Sequence, residues 1–436
     1  MFGYYLELAV RSFRRNRVLT ALMVLALGLG IGASITTLTV LKLLSGDPLP
    51  GKSARLFVPE IDPLPANNTT KPDDLWRYWS SQLTYVDAMN LMRAHKAKRQ
   101  AVIALTQAKV TPKAPGRHPF FTNGVLTTTD FFAMFDAPFQ YGGTWGAHAD
   151  SERARVAVIA GFINDKLFGG TDSVGKLIRI NDHDYRIAGV LKPWNPQPRF
   201  YAVNLGGHSY GAGDGVFVPF QSGLADKMSA ENINCWQTAD IHHPQTAPCF
   251  WVGMWVELAH ATDARTYKTF LANYVAQQIA LGRLHQRQVA LPNLMGYLAQ
   301  QQVVPDDARL QVYLAFGFLL ICVVGTVGLL LAKCLGRSHE IGVRRALGAS
   351  RVAIFAQFMI ESGLVGIAGG VLGLGVAELG LWEIRHEPVQ YAHLAHLDPA
   401  MLAATFGVAL AASLIAGVLP ALRACLVAPA PQLKAT

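Results

Sequence analysis

The chain has 436 residues, of which 51% are hydrophobic and only 15% are charged, where soluble domains carry about 25% charged residues. With a mean hydropathy of +0.25, that balance excludes a wholly soluble protein and places part of the chain in lipid. The net charge of +9 could serve nucleic acid, but the cations cluster beside apolar runs and no basic stripe is interleaved with aromatic residues that could stack bases, so nucleic-acid binding is excluded.

Residues 1–17 place Phe2, Leu6, Val10 and Phe13 at helical spacings with arginines elsewhere. That pattern predicts an amphipathic helix on the cytoplasmic membrane surface. Residues 18–44 form the first apolar run, longer than the roughly 20 residues that span a bilayer. It is too long for a cleavable signal peptide, and no small-residue cleavage site follows it.

Residues 45–307 are polar, mixed and rich in proline, and far too many for a loop, so they are read as a folded domain. Residues 177–180 and 185–191 alternate as two strands joined at 181–184. Residues 154–170 read as a strand followed by a short helix that ends at glycine. Asp263 is an N-cap candidate for a helix reaching Leu281. The domain is therefore mixed α and β.

Three more apolar runs follow, at 308–333, 351–382 and 399–421. The positive-inside rule orients them. Arg11, Arg14, Arg15 and Arg17 precede the first span. Lys333, Arg337, Arg344, Arg345 and Arg351 lie at segment 334–350 or its edges, and Arg423 and Lys434 lie in tail 422–436. Segment 383–398 has one cation, Arg385, against Glu383, Glu387 and Asp398. Both termini and segment 334–350 are then cytoplasmic. The fold class is an α-helical membrane protein with four transmembrane helices and a large mixed α/β extracytoplasmic domain inserted between the first and second spans.

Several motifs carry two readings. Gly28 and Gly32 stand four apart in the first span, as do Gly366/Gly370 and Gly369/Gly373 in the third. Such spacing lets helix backbones approach closely, within a chain or across a dimer, although glycine is common in membrane helices anyway. Gln357 and Glu361 are polar inside the third span. An intramembrane carboxylate is a functional candidate, but this one is close enough to the interface to reach headgroup water or a neighbouring helix. Cys235 and Cys249 are the only cysteine pair in the outer region, so a disulfide is expected there, with two free buried thiols as the alternative.

Residues 170–177 match G-x-x-x-x-G-K but end in Leu177, where a phosphate loop needs Ser or Thr for Mg²⁺. The segment reads as the turn before the hairpin, and no other phosphate loop occurs. No cofactor is therefore expected on this chain. His242, His243, His386, His393 and His396 lack a completing ligand set and read as solvated, so no metal is expected. No nucleophile–base pattern occurs, so the chain reads as non-catalytic.

The densest pattern is at 336–361. Glu340, Arg344 and Arg345 fall at helical spacing with Ile341 and Leu347 among them, and Gly348 breaks the helix. The alternative to a partner-docking surface is a basic loop that only fixes topology. His339-Glu340-Ile341-Gly342-Val343-Arg344-Arg345-Ala346-Leu347-Gly348-Ala349 resembles the R-E-I-G-I-R-R-A-L-G-A pattern of the MacB/FtsX family of ABC-transporter permeases, with His339 in place of the usual Arg. Residues 357–361, Gly369-Gly370, the run Leu419-Pro420-Ala421-Leu422-Arg423-Ala424 and Pro429 also fit. In the outer domain Thr129-Asp130-Phe131-Phe132, Phe168-Gly169-Gly170 and Val174-Gly175-Lys176 resemble the family's periplasmic core.

The resemblance implies a permease of the bacterial inner membrane with a periplasmic domain. It implies an ABC ATPase on a separate subunit, carrying ATP and Mg²⁺, and a second permease subunit, identical or related. The docking helix would use His339, Glu340, Ile341, Gly342, Arg344, Arg345, Leu347 and Gly348, and would transmit ATPase motion to the outer domain. Export or efflux from the periplasm is the leading expectation, with a periplasmic adaptor and outer-membrane channel as further partners. The alternatives are an FtsX-like regulator of an extracytoplasmic hydrolase and LolC/LolE-like lipoprotein extraction.

Overall fold

The hydrophobic pattern resolves into two units in the computed structural model, Gly46–Val303 and a unit joining Met1–Ser45 with Val304–Thr436. Residues 7–8, 11–13, 15–65, 80–113, 116–146, 148–240, 243–387 and 395–426 are described. Phe2, Leu6, Val10, Arg14, His242, His393, Pro429 and Lys434 lie outside them. Of the expected N-terminal amphipathic helix, residues 7–8, 11–13 and 15 are helical.

Helix α1 (Arg17–Ser45) leads to the outer unit. That unit begins with β1 (Leu56–Phe57), β2 (Glu60–Ile61), β3 (Gln82–Leu83) and α2 (Tyr85–Ala94). It continues with β4 (Arg99–Thr111), β5 (Phe120–Thr127), α3 (Asp130–Met134), β6 (Phe139–Gly142), α4 (His148–Ser151), β7 (Val156–Ala160) and α5 (Gly161–Phe168). Then come β8 (Leu177–Ile180), β9 (His183–Leu191), β10 (Val216–Pro219), α6 (Phe220–Ala225), β11 (Asn234–Cys235) and β12 (Cys249–Phe250). The unit ends with β13 (Val252–Glu257), α7 (Ala264–Ala280), β14 (Val289–Ala290) and α8 (Leu294–Gln300). The membrane unit resumes with α9 (Asp306–Leu335), α10 (Ser338–Ala346), α11 (Arg351–His386) and α12 (Pro399–Cys425).

The main sheet of the outer unit runs β1-β13-β4-β5-β10-β7-β9-β6, with β3 added to β13. β5 pairs parallel with β10 and β7 with β9, while β13–β4, β4–β5 and β10–β7 are antiparallel. β8 pairs with both β9 and the far end of β4, so the path β4-β5-β10-β7-β9-β8 returns on itself. The β8–β9 hairpin turns on Asn181 and Asp182, both at positive φ (44° and 68°), the geometry that matches the twist of adjoining strands. Asn181 also accepts from the Lys109 N–H at 2.8 Å, which pins the hairpin to β4.

α5 ends at Gly169 (φ 67°), where a left-handed residue closes the last turn. Asp263 stands at the N-cap of α7 and Leu281 at its C-cap, as expected. The Asp263 side chain makes no cap bond to α7 and instead accepts from the His260 N–H at 3.0 Å, closing the preceding 3₁₀ turn. The core holds a cluster of interlocked rings. Phe131 and Phe132, part of the motif noted in the sequence, are buried there against Phe135, Tyr201 and Phe217. Ring centroids 4.9 to 5.5 Å apart, at steep interplanar angles, suit aromatic quadrupoles.

In the membrane unit four helices are long and apolar enough to cross a bilayer. Each runs past its expected span at one end or both, because helical hydrogen bonding does not need an apolar side chain at every position. Ser350 caps α11 by accepting from the Ala353 N–H at 3.1 Å, and Asp398 caps α12 through the Met401 N–H at 2.6 Å. α1 packs on α9 and α11, and α12 packs on the same two. Met23, Leu27, Ile31 and Ile35, four residues apart along one face of α1, are wholly buried in this bundle.

Candidate functional site

The residues singled out for docking do not share one surface. α10 follows α9 almost directly, and its inner face is fixed to the membrane helices. Ile341 and Gly342 are buried, Ile341 in an apolar cluster with Ile354, Phe358, Ala421 and Ala424. Arg344 donates to Glu340 Oε1 at 2.7 Å and to Gln357 Oε1 at 3.0 Å. Arg345 donates to the Cys425 carbonyl at 3.2 Å. Glu340 also lies 3.8 Å from Arg15. Five expected docking residues, Glu340, Ile341, Gly342, Arg344 and Arg345, are thus engaged within the chain.

What α10 presents outward is its C-terminal corner: Ala346, Leu347 and Gly348. Leu347 is 83% exposed, and Leu335 and Val352 near the adjoining helix ends are exposed too. Gly348 has φ 97°, a conformation that L side chains rarely adopt, and so ends the helix sharply. His339 is exposed at the other end of α10.

Glu361 corrects one reading. It does not reach headgroup water, being 1% exposed. It pairs with Lys333 from α9, lies 3.7 Å from Arg337, and accepts from the Ser12 hydroxyl. Lys333 is 4% exposed and its ammonium sits 5.2 Å from the Phe13 ring. Burying one charge costs several kcal/mol unless it is paired, so the acid and its bases hold one another in place. Sequence reasoning treated Lys333 and Arg337 as topology signals only. A local pattern could not join them to a carboxylate on another helix, though a buried acid does call for a cation at similar depth.

The glycines meet partners within the chain. A Cβ on Gly28 would stand 2.7 Å from Leu372, and one on Gly32 would stand 2.6 Å from Val376. One on Gly366 would strike Ser413 Oγ at 2.1 Å. Gly369 faces Leu27, Gly370 faces Ala409 and Gly373 faces Ile31 at 3.0 to 3.2 Å. These contacts set α11 against α1 on one side and against α12 on the other.

In the outer unit Cys235 and Cys249 are joined as a disulfide across paired strands β11 and β12. Residues 170–175 form the turn into β8, with Gly170 and Gly175 at positive φ and Ser173 buried against Asn164. His386 Nδ1 is 2.8 Å from the Trp382 carbonyl. Among the described residues no group of three His, Cys, Asp or Glu side chains could hold a metal.

Sequence reasoning missed the buried ion networks. Arg199 donates to Asp214 at 2.6 Å while Tyr201 donates to its other oxygen at 2.7 Å. Arg283 and Tyr274 both donate to Asp87, at 2.9 and 2.6 Å. Glu60 is wholly buried and accepts twice from Gln300 at 3.0 and 2.9 Å. Burial pushes its carboxyl up to about 7, with the Gln300 bonds partly opposing.

Comparison with known proteins places this architecture. The family model described as MacB-like periplasmic core domain matches residues 20–268, and that described as FtsX-like permease C-terminal matches 312–428. The chain belongs to the MacB-like permeases, membrane proteins with a periplasmic core domain and an FtsX-like permease region. It is 24% identical to the macrolide export ATP-binding/permease protein MacB of Azoarcus sp. (strain BH72), over 97% of this chain and 58% of that protein. It is 26% identical to the pyoverdine export ATP-binding/permease protein PvdT of Pseudomonas aeruginosa, over 57% of this chain and 33% of that protein. The chain thus spans at most 58% of the length of these two relatives. The periplasmic region of MacB from Actinobacillus actinomycetemcomitans aligns at 10% identity and TM-score 0.36, covering 57% of this chain and 94% of that one.

Proposed function

We propose that this chain is the permease of an ATP-driven exporter, in which an ATPase on a separate subunit moves the periplasmic domain through α10 and α9. The observation that carries this reading is the double character of α10. Its inner face is locked to α11 and α12 by Ile341, Arg344 and Arg345, while Leu347 projects 83% exposed. A helix held that firmly cannot yield alone, so force on its exposed corner passes into the bundle. α9 then runs unbroken for 30 residues, about 45 Å at 1.5 Å per residue, and its first turn follows directly on Val303, where the outer unit ends.

Both termini and α10 lie in the cytoplasm, in keeping with the arginines at 11, 15 and 17 and the cations around α10. A second permease, identical or related, completes the assembly. ATP and Mg²⁺ are held by the ATPase, and a periplasmic adaptor with an outer-membrane channel receives the cargo. The relatives named for macrolide and pyoverdine export support outward movement of the cargo. The large outer unit, Gly46–Val303, favours export over regulation of a hydrolase.

The test is capture from native membranes in mild detergent, with bound proteins identified and ATPase activity assayed. Leu347→Asp puts a charge on the exposed corner without touching the clamp, so it should abolish ATPase recovery while thermal stability is kept. Full recovery with that variant overturns the docking assignment.

A further inference from the structure

The outer unit contains an open cleft of about 480 Å³ between α2, α4 and α6, reaching the adjoining parts of β4 and β5. Its floor is apolar: Met89 and Met92 of α2, Val102 of β4 and Phe220 of α6. Thioether side chains are flexible and polarizable, so such a floor adapts to apolar groups of different shape. Gln221 donates to Met89 Sδ at 3.4 Å and bonds the Tyr85 hydroxyl at 3.0 Å, which holds that wall of the cleft.

The lining is unbalanced in charge. Arg93, His95 and Arg153 are all exposed around it. Arg93 lies along its own helix, donating to the Met89 carbonyl at 3.1 Å and to Asn90 at 2.7 Å, and neither contact neutralises it. No ion pair joins His95 or Arg153 to another described residue. The one acid in the lining is Asp150. Its carboxyl meets the backbone N–H groups of Phe220 and Gln221 at the start of α6, and its Oδ1 is buried with no partner among the described residues. Burial pushes Asp150 up to about 7, against the pull of those N–H groups, so near neutral pH much of it is an uncharged acid.

We propose that this cleft binds a small, soluble amphiphilic anion, with an aromatic or alkyl body on Met89, Met92 and Phe220 and a carboxylate, sulfonate or phosphate beside Arg93, His95 and Arg153. Charge complementarity selects the anion. Two exposed guanidinium groups outnumber the single acid, Asp150, whose Oδ1 is buried, so a cationic amphiphile would meet net repulsion. The apolar floor supplies contact area, and guanidinium forks fit planar oxyanions. The site is a statement about equilibrium binding and does not rest on the export reading.

The test uses the full chain in nanodiscs of zwitterionic lipid, titrated calorimetrically with naphthalene-2-sulfonate and, separately, with 2-naphthylmethylammonium. The sulfonate should bind saturably and the ammonium at least about tenfold more weakly. Arg153→Glu and Arg93→Glu, both at exposed positions, should each weaken sulfonate binding by about tenfold and leave thermal unfolding unchanged. An equal or tighter ammonium affinity overturns the proposal, as does wild-type sulfonate affinity in both variants. Repeating the titration with anionic lipid in the discs separates the sources of the anion. Unchanged affinity supports a soluble ligand, and competition by the lipid overturns that assignment in favour of a headgroup.

Discussion

At the scale of single residues, the molecule is governed by ionisable groups taken out of water. Glu60 is the clearest. Its carboxyl titrates at about 7 in the folded chain against an ordinary value of 4.5, so the folded state holds its proton where the unfolded state has released it. Its contribution to stability is therefore fully present below about pH 4.5 and is lost as pH rises to about 7. Glu60→Gln keeps the shape and removes the charge. We expect it to raise stability at pH 8 by about 1–3 kcal/mol and to leave it unchanged near pH 4. Thermal unfolding of both chains across that range checks this, and an equal or lower midpoint for the variant at pH 8 would sink it. Glu361 is buried in another way, with Lys333 and Arg337 placed against it inside the bundle.

At the scale of elements, small residues decide how the membrane helices meet. Lipid tails offer no hydrophobic drive for association, so close backbone approach and van der Waals contact must supply it. Gly32 and Gly366 stand where an added methyl would overlap Val376 and Ser413. Gly32→Ala and Gly366→Ala should each destabilise the bundle by about 1–3 kcal/mol. Gly317 and Gly325 of α9 face nothing within 4 Å. Alanine there should be neutral or stabilising by up to about 1 kcal/mol, since alanine is the better helix former. Thermal midpoints in one detergent separate the two groups. Equal gains at all four positions would mean that helix backbone entropy, and not packing, sets the effect.

At the scale of the whole molecule, the proposed orientation rests on charge asymmetry across the spans. Alkaline phosphatase fused after residue 426 should stay inactive, because a cytoplasmic terminus keeps its disulfides reduced. The same enzyme inserted at Gly282, an exposed turn with φ 74°, should be active. An active C-terminal fusion would invert the topology and with it the cytoplasmic placement of α10.

The membrane architecture was legible because it rests on runs, periods and charge counts that local sequence carries. The four spans, the inserted domain and the short helix after α9 follow from such patterns, and so does the break at Gly348. The candidate site was legible only in part. A repeat of Glu340, Arg344 and Arg345 gives a helix but not the direction in which each side chain is turned. Only the packing of α10 on α11 and α12 turned Arg344 toward Gln357 and left Leu347 outside. The pairing of Lys333 with Glu361, the return of β8 to β4, and the meeting of Met89, Asp150 and Phe220 in one cleft join residues far apart in the chain. Local propensity has no term for such pairs, because their energies exist only after the backbone has brought the groups together and removed the water between them.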